Sequence, residues 1–221
     1  MVGILEAELG GVEDVFAGLT AAEWAVATRL EPFDPGQPHW TLFELAGHFD
    51  ISIGLTRMLI ADPQSGLPER DGVSFFIFSR PEVAPELYDY AYTMVEGKAP
   101  AQMPGVLHET FTKTVQEARA APPGIVSPFP GFAPYPLMRL DEFVLSRIVE
   151  AVVHGMDLTD ALGRPVIATP DGIAATASLL DELLARRTNP ARSANLGDDV
   201  AWVRAASGRD QHPDPRLPLI G

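Results

Sequence analysis

The sequence predicts an all-α fold. Several long segments carry apolar side chains at the three- and four-residue spacing of one helix face, beginning with residues 2–18. Two further segments begin with the threonine and glutamate of a capping box, at Thr20–Glu23 and Thr41–Glu44. No internal repeat and no convincing strand is found, apart from short pieces near Val73–Phe78. These observations favour a helical protein over a mixed one.

The first part of the chain predicts one helix, one short helical piece and one loop. Residues 2–18 form the helix, and the first capping box begins a short piece through Thr28. Prolines, an aspartate and a glycine crowd the stretch from Glu31 to His39, which excludes a helix there.

The second long helix begins after Thr41 and ends near Ala61, where Asp62-Pro63 follows. Trp40 precedes it and is placed to pack as a hydrophobic staple. His48 lies on its second turn. The alternative to a functional role for His48 is a core histidine bonded to a backbone carbonyl.

The middle of the chain predicts two loops and two helices. Residues 64–80 form a loop whose aromatic side chains line a pocket or fold over the edge of the core. These side chains are Phe75, Phe76 and Phe78. Residues 85–97 and 104–120 form helices, and His108 is a spare candidate ligand or a position at the edge of the apolar stripe. Residues 121–138, rich in proline and aromatic residues, predict a lid over a site, because long loops inside a compact domain are usually functional or disordered.

The helix from about Leu140 to Leu162 carries the main chemical signal. Glu150 and His154 are four residues apart, so they lie one above the other on the same helix face. That face is otherwise apolar, and a carboxylate and an imidazole are costly to bury there without partners. A divalent metal would satisfy both, whereas a surface pair or a core histidine is the alternative. Arg147 and Asp157 are each about one turn away and are candidates for orienting a ligand from outside the coordination sphere.

Gly163 ends this helix, and the last part of the chain continues as helices and a tail. Thr169-Pro170 begins a helix that runs to about Arg187. Residues 198–206 form a short helix, and a proline-rich tail, 211–221, is expected on the surface.

The composition bounds the classes of partner. The chain has 221 residues with 16 Lys+Arg against 30 Asp+Glu, a net charge of −14 that argues against nucleic-acid and anionic-membrane partners. There is no Cys, so the chain supplies no thiolate ligand and no cysteine nucleophile. The N-terminus carries no signal-peptide pattern and no stretch is long enough to span a membrane, so a cytoplasmic location is expected.

Two patches of the sequence resemble a known family. Trp40-Thr-Leu-Phe-Glu-Leu-Ala-Gly-His48 is similar to the start of helix two in the DinB-like (YfiT-like) metal-binding four-helix bundles. The run from Arg147 to Pro165, with Glu150-x-x-x-His154-Gly-x-Asp157, resembles a later helix of the same bundles. The resemblance is nearest to the N-terminal domain of the mycothiol-dependent maleylpyruvate isomerases, and the segment from Ala205 is similar to tails of related sequences.

The resemblance implies a DinB-like four-helix bundle in residues 1–165. It leaves residues 166–221 as an extension of additional C-terminal helices that packs on the bundle and is not an independent domain. By position, the family's metal ligands fall on His48, Glu150 and His154. Such an open three-ligand set is typical of catalytic zinc, although nickel or iron would also suit nitrogen and oxygen ligands.

The resemblance also implies the chemistry. A low-molecular-weight thiol such as mycothiol would bind as a metal-bound thiolate and attack a small electrophilic substrate, giving S-transfer or isomerisation. The lid aromatics Phe129, Phe132 and Tyr135 are candidates for contacting that substrate. The maleylpyruvate isomerases carry a second, smaller α/β domain where this chain predicts helices, so the substrate stays open. Metal-dependent hydrolysis by a bound water, and a non-catalytic metal- or ligand-binding bundle, are the alternatives, and a homodimer is left open.

Overall fold

A computed structural model of the chain describes residues 1–32, 36–77, 80–127, 136–188, 191–192 and 196–220, with the backbone alone for 80–87. In this part of the chain the strands β1 (Ile125–Val126) and β2 (Met138–Arg139) pair antiparallel, and the rest of the regular structure is helical. The all-α prediction is therefore confirmed. The α-helices are α1 (Val2–Ala17), α2 (Leu42–Ala61), α3 (Arg80–Val95), α4 (Met103–Ala120), α5 (Leu140–Leu162), α6 (Pro170–Thr188) and α7 (Asp199–Ala206).

Four helices pack around one another at the centre of the fold. Helices α1 and α2 each pack against both α4 and α5, so these four form a closed group. Helix α3 packs on the outside of α2, and α6 packs against α5, α1 and α7. The contact between α2 and α5 is the one that positions the candidate ligands, since His48 lies on α2 and Glu150 and His154 lie on α5.

Aromatic rings fill the interior beside that contact. Phe49, which follows His48 in the chain, is fully buried and meets Phe16 of α1 and Phe111 of α4 edge to face, with ring centroids 5.9 and 6.3 Å away. The Phe49 ring also lies edge-on to the ring of His154, at 6.2 Å. The candidate site thus borders the apolar core.

The predicted signals at the helix ends are present. The Thr41 side chain accepts a hydrogen bond from the Phe43 N–H, and Glu44 accepts from the Thr41 N–H at 2.8 Å, which completes the capping box. Helix α5 ends at Gly163, whose φ of 63° is in the left-handed region that glycine adopts without strain. Asp198 precedes α7 and caps its first turn, since its carboxylate accepts a hydrogen bond from the Ala201 N–H.

Two predictions near the N-terminal half were wrong in detail. The Thr20–Glu23 capping box forms, but only the 3-10 turn Glu23–Ala25 follows it instead of a piece through Thr28. Beyond that turn the backbone bonds to a distant segment and does not continue the helix: the Thr28 N–H donates to the Trp40 carbonyl at 2.7 Å. Helix α3 begins at Arg80, ahead of the predicted residue 85, with Pro81 preset for a first helical turn.

The short strands also differ from the prediction. Ser74–Ile77 is a 3-10 turn and not a strand, because the Asp71 and Ser74 side chains each bond the other's backbone N–H and close a tight turn. Phe75 in this turn is buried, whereas Phe78 lies outside the described residues. The strands that do form flank residues 128–135 of the predicted lid, and these residues likewise lie outside the described part of the chain.

The end of the tail is not on the surface as predicted. Leu219 is buried, and its backbone N–H donates to the Ala206 carbonyl at 2.7 Å at the end of α7. Arg187 of α6 donates to the Leu219 carbonyl. A buried apolar side chain and two hydrogen bonds to the backbone of Leu219 therefore hold the tail against the helices. Among the described residues, no helix combines the length and the apolar character that crossing a membrane requires.

Gly47 permits the close approach of α3 to α2, one residue before His48. A Cβ atom at position 47 would lie 2.6 Å from the Ala91 carbonyl oxygen and 2.8 Å from Cγ1 of Val95. Both distances are shorter than real Cβ contacts, and one of the atoms is backbone, so the helices would have to separate.

We therefore expect Gly47→Ala to lower the free energy of unfolding by about 1–3 kcal/mol, as overpacking does. Gly10→Ala is the matched control, since Gly10 lies in α1 and a methyl group added there would meet nothing within 4 Å. Ala is the better helix former, so this control should raise stability by about 0.5–1 kcal/mol. Chemical denaturation of both variants measures the difference. If both substitutions stabilised the protein equally, Gly47 would not be needed for the close packing of α3 on α2.

Candidate metal centre

The three predicted ligands converge between α2 and α5. Glu150 Oε2 lies 3.2 Å from His48 Nε2 and 3.4 Å from His154 Nε2. One ligand atom from each residue falls within 4.8 Å of the other two, and the two imidazole rings are 4.6 Å apart at 71°. These side chains form a group that could hold a metal ion, and it is the one such group within the described ranges.

The His154 ring is oriented from behind by Asp157. The Nδ1 atom of His154 is 2.8 Å from Asp157 Oδ2. An ionised carboxylate only accepts hydrogen bonds, so Nδ1 carries the proton and donates it. A neutral His154 then presents a lone pair at Nε2, toward Glu150. This is the orientation in which histidine binds a metal while a carboxylate holds its other nitrogen.

Asp157 is fixed in turn by Arg209. The guanidinium donates from Nε to Oδ1 at 2.9 Å and from Nη2 to Oδ2 at 2.6 Å. Burial alone would raise the pKa of Asp157, but the charge of Arg209 and the bond from His154 outweigh it and lower the pKa to about 2. Asp157 is therefore an anion at neutral pH. Its helical spacing from His154 made Asp157 predictable, whereas Arg209 was missed, because no spacing rule connects residues 52 positions apart.

Arg147 lies beside the other oxygen of the Glu150 carboxylate. It is buried, and its Nη2 atom lies 3.9 Å from Glu150 Oε1. Its Nη1 atom donates to the Ser52 carbonyl on α2 at 3.1 Å, while its guanidinium carbon lies 4.7 Å from the ring centroid of Phe143. Arg147 thus lies beside the carboxylate of Glu150, and its role in orienting a metal ligand stays a prediction.

A positive charge is needed between Glu150 and His154, and either a proton or a metal ion can supply it. Burial alone would raise the pKa of Glu150, but the Arg147 charge and the bonds from His154 and His48 hold that pKa well below its usual range. Glu150 is thus a carboxylate, and two acceptors 3.4 Å apart would repel one another if His154 were neutral. Without a metal, a proton fills the gap: burial lowers the pKa of His154, but Asp157 and Glu150 outweigh it and raise the pKa to about 9. A divalent cation would replace that proton.

His48 is held by packing more than by hydrogen bonds. Its ring centroid is 5.1 Å from that of Trp40, which stacks at 5.0 Å on Tyr88 of α3. Burial lowers the pKa of His48, so the ring is neutral and Nε2 or Nδ1 has a free lone pair. Its Nδ1 atom has no hydrogen-bond partner in the described part of the chain. Trp40, which was predicted to pack as a hydrophobic staple, thus packs against the ring of a candidate ligand.

One side of the group reaches solvent. The side chains of Glu150 and His154 are 19% and 15% exposed, whereas those of Arg147 and Asp157 behind them are 6% and 4% exposed. The candidate ligands are therefore partly exposed, whereas the side chains that support them are buried. Open sites of this composition are characteristic of catalytic metals.

The remaining sequence candidates lie elsewhere. His108 is 66% exposed and pairs with Glu13 of α1, so it is the flanking surface position and not a ligand. Phe129, Phe132 and Tyr135, the predicted substrate contacts, lie outside the described residues.

Comparisons of the chain with protein-family models, curated proteins and solved structures give no match.

Replacing His154 with Ala should abolish tight zinc binding, because one of three ligands is lost. His108→Ala removes a histidine that contacts none of them and should leave binding unchanged. The measurement is zinc content per chain after gel filtration of protein incubated with Zn²⁺. We expect about one ion per chain for the parent and His108→Ala. Equal zinc retention by His154→Ala would exclude this group as the site.

Replacing Asp157 with Asn should weaken zinc binding roughly 10–100-fold, the usual cost of losing a partner that orients a ligand. Asp160→Asn is the control, since Asp160 also lies on α5 and pairs with an arginine, Arg204, but contacts no histidine. Competition with a chromophoric chelator gives both affinities. An equal loss in the two variants would mean that Asp157 contributes only to general stability.

Proposed function

We propose that the chain is a zinc-dependent enzyme of the DinB-like class that uses a low-molecular-weight thiol such as mycothiol. Its reaction would be S-transfer to, or isomerisation of, a small electrophilic substrate. The observation that carries the proposal is the convergence of His48, Glu150 and His154 with one solvent-facing side. Within it, residues 1–165 form the bundle and residues 166–221 an extension that packs on it.

The donor set fits zinc. Two imidazole nitrogens and one carboxylate oxygen are a common ligand set for catalytic zinc, which keeps a further position for an exogenous group. Zinc bound there would lower the pKa of a thiol and hold it as a thiolate nucleophile at neutral pH. His154 is oriented by Asp157, and Glu150 is kept ionised by Arg147, so the chain's own residues hold two of the three candidate ligands in an orientation and a charge state that suit a metal.

The charge balance supports an anionic ligand. The positive charges of Arg147 and Arg209 are matched by the negative charges of Glu150 and Asp157, and both histidines would be neutral once a metal ion replaces the proton on His154. A divalent ion would therefore add two uncompensated positive charges in a largely buried place. A thiolate compensates one of them, which favours its binding over that of a neutral thiol.

The absence of cysteine is consistent with a thiol that comes from outside. The chain has no Cys, so no protein thiolate competes for the metal or for the electrophile. In S-transfer, the sulfur lone pair forms a bond to the electrophilic carbon and the displaced electron pair leaves with a leaving group or takes up a proton. In isomerisation, the thiol adds to an activated double bond, the carbon–carbon bond rotates, and the thiol is expelled.

The proposal predicts direct binding of the thiol at the metal. Cobalt-loaded protein should develop a thiolate-to-cobalt charge-transfer absorption when mycothiol is added, and His154→Ala should show none. Zinc-loaded protein should then consume maleylpyruvate, as a probe alkene, at a rate that depends on the thiol. Absence of the absorption band in cobalt-loaded parent protein would contradict thiol activation, and turnover that is equally fast without thiol would indicate a hydrolase.

A further inference from the structure

The segment that follows α7 reaches back to the candidate metal centre. Arg209 lies in this segment, and its guanidinium forms two parallel hydrogen bonds to both oxygens of Asp157 on α5. Asp157 Oδ2 is shared, since it also accepts from His154 Nδ1 at 2.8 Å. A continuous chain of contacts thus leads from the C-terminal segment through a carboxylate to a candidate ligand.

The contact between Arg209 and Asp157 is nearly free of solvent. The two side chains are 10% and 4% exposed. A planar guanidinium that binds both oxygens fixes the plane of the carboxylate as well as its charge, which an ammonium group cannot do. Removal of Arg209 would leave a buried carboxylate free to rotate and short of one charge partner.

Arg209 is itself held in place. Its Nη1 atom donates to the Ser207 carbonyl at 2.6 Å, and its backbone N–H donates to the Arg204 carbonyl at 2.8 Å. Gly208 before it has a φ of 75°, a conformation that turns the chain sharply and that glycine adopts without strain. The segment 207–209 is therefore a fixed turn that presents the guanidinium to α5.

We infer that Arg209 is a positioning residue for the metal centre, acting on His154 through Asp157. This inference rests on the proposed function, since it assigns a role toward the metal. It places the determinant of a ligand's orientation in the C-terminal extension, outside the group formed by α1, α2, α4 and α5. Metal binding and docking of residues 207–209 are then linked, so each strengthens the other.

The test compares zinc affinities of Arg209→Gln, Arg209→Lys and Arg204→Gln. We expect Arg209→Gln to bind Zn²⁺ roughly 10–100-fold more weakly than the parent, as for other partners that orient a ligand. Arg209→Lys keeps the positive charge but cannot bond both oxygens of Asp157 in parallel, so its zinc affinity should lie between those of the parent and Arg209→Gln. Arg204→Gln breaks the pairs that Arg204 forms with Asp160, one turn along α5, and with Asp210. Because Arg204 contacts neither Asp157 nor a candidate ligand, the zinc affinity should stay within about threefold of the parent, even where stability falls.

A double-mutant cycle identifies the route. If Arg209 acts through Asp157, adding Arg209→Gln to Asp157→Asn causes little further loss of zinc affinity. Amide hydrogen exchange of residues 208–210 gives an independent readout, because zinc should slow it in the parent and not in Arg209→Gln. A merely structural arginine would not make this exchange depend on zinc.

The outcomes separate the two claims. Zinc binding by the parent with unchanged affinity in Arg209→Gln, or additive losses in the double variant, overturns the inference and leaves the proposed function standing. A parent that binds no Zn²⁺ overturns both. If Arg209→Gln does not fold, the comparison of Arg209→Lys with Arg204→Gln decides: equal zinc affinities in those two variants overturn the inference.

Discussion

The carboxylate of Glu150 between two imidazoles is the interaction on which the site depends. Its Oε2 atom faces a nitrogen of His48 at 3.2 Å and a nitrogen of His154 at 3.4 Å. Because Nδ1 of His154 donates its proton in a hydrogen bond to Asp157, a neutral ring would present the lone pair of Nε2 to Glu150 and place one acceptor against another. Such a group requires a cation at its centre, either a proton or a metal, and burial makes that requirement strict.

Two arginines keep the carboxylates around this cation position ionised. Arg147, between α2 and the aromatic rings, keeps Glu150 ionised, and Arg209 keeps Asp157 ionised and oriented. The charges of these four groups cancel, so the net charge is set by the cation that lies between Glu150 and His154, a proton or a metal ion, and by the ligand that accompanies it. We propose that a divalent ion occupies this position, held by the three side chains, and that an anionic thiol binds to it as a further ligand.

Local rules explain what the sequence could predict. A four-residue spacing places Glu150 and His154 on one face of α5, and a glycine at 163 ends that helix, because both depend on backbone geometry alone. The pairing of the α5 residues with His48 came from a resemblance, since spacing does not show which helices meet. Arg209 and the buried Leu219 were missed for a related reason: each acquires its role from a contact with a distant segment, and neither carries a local signal.

The most direct test of the central claim is a crystal structure of protein incubated with Zn²⁺, with anomalous scattering recorded at the zinc edge. The account predicts one strong peak per chain, about 2.0–2.2 Å from Nε2 of His154, a nitrogen of His48 and a carboxylate oxygen of Glu150, with a further position open to solvent. A map without a peak there, in which His154 still forms a direct ion pair with Glu150, would contradict it.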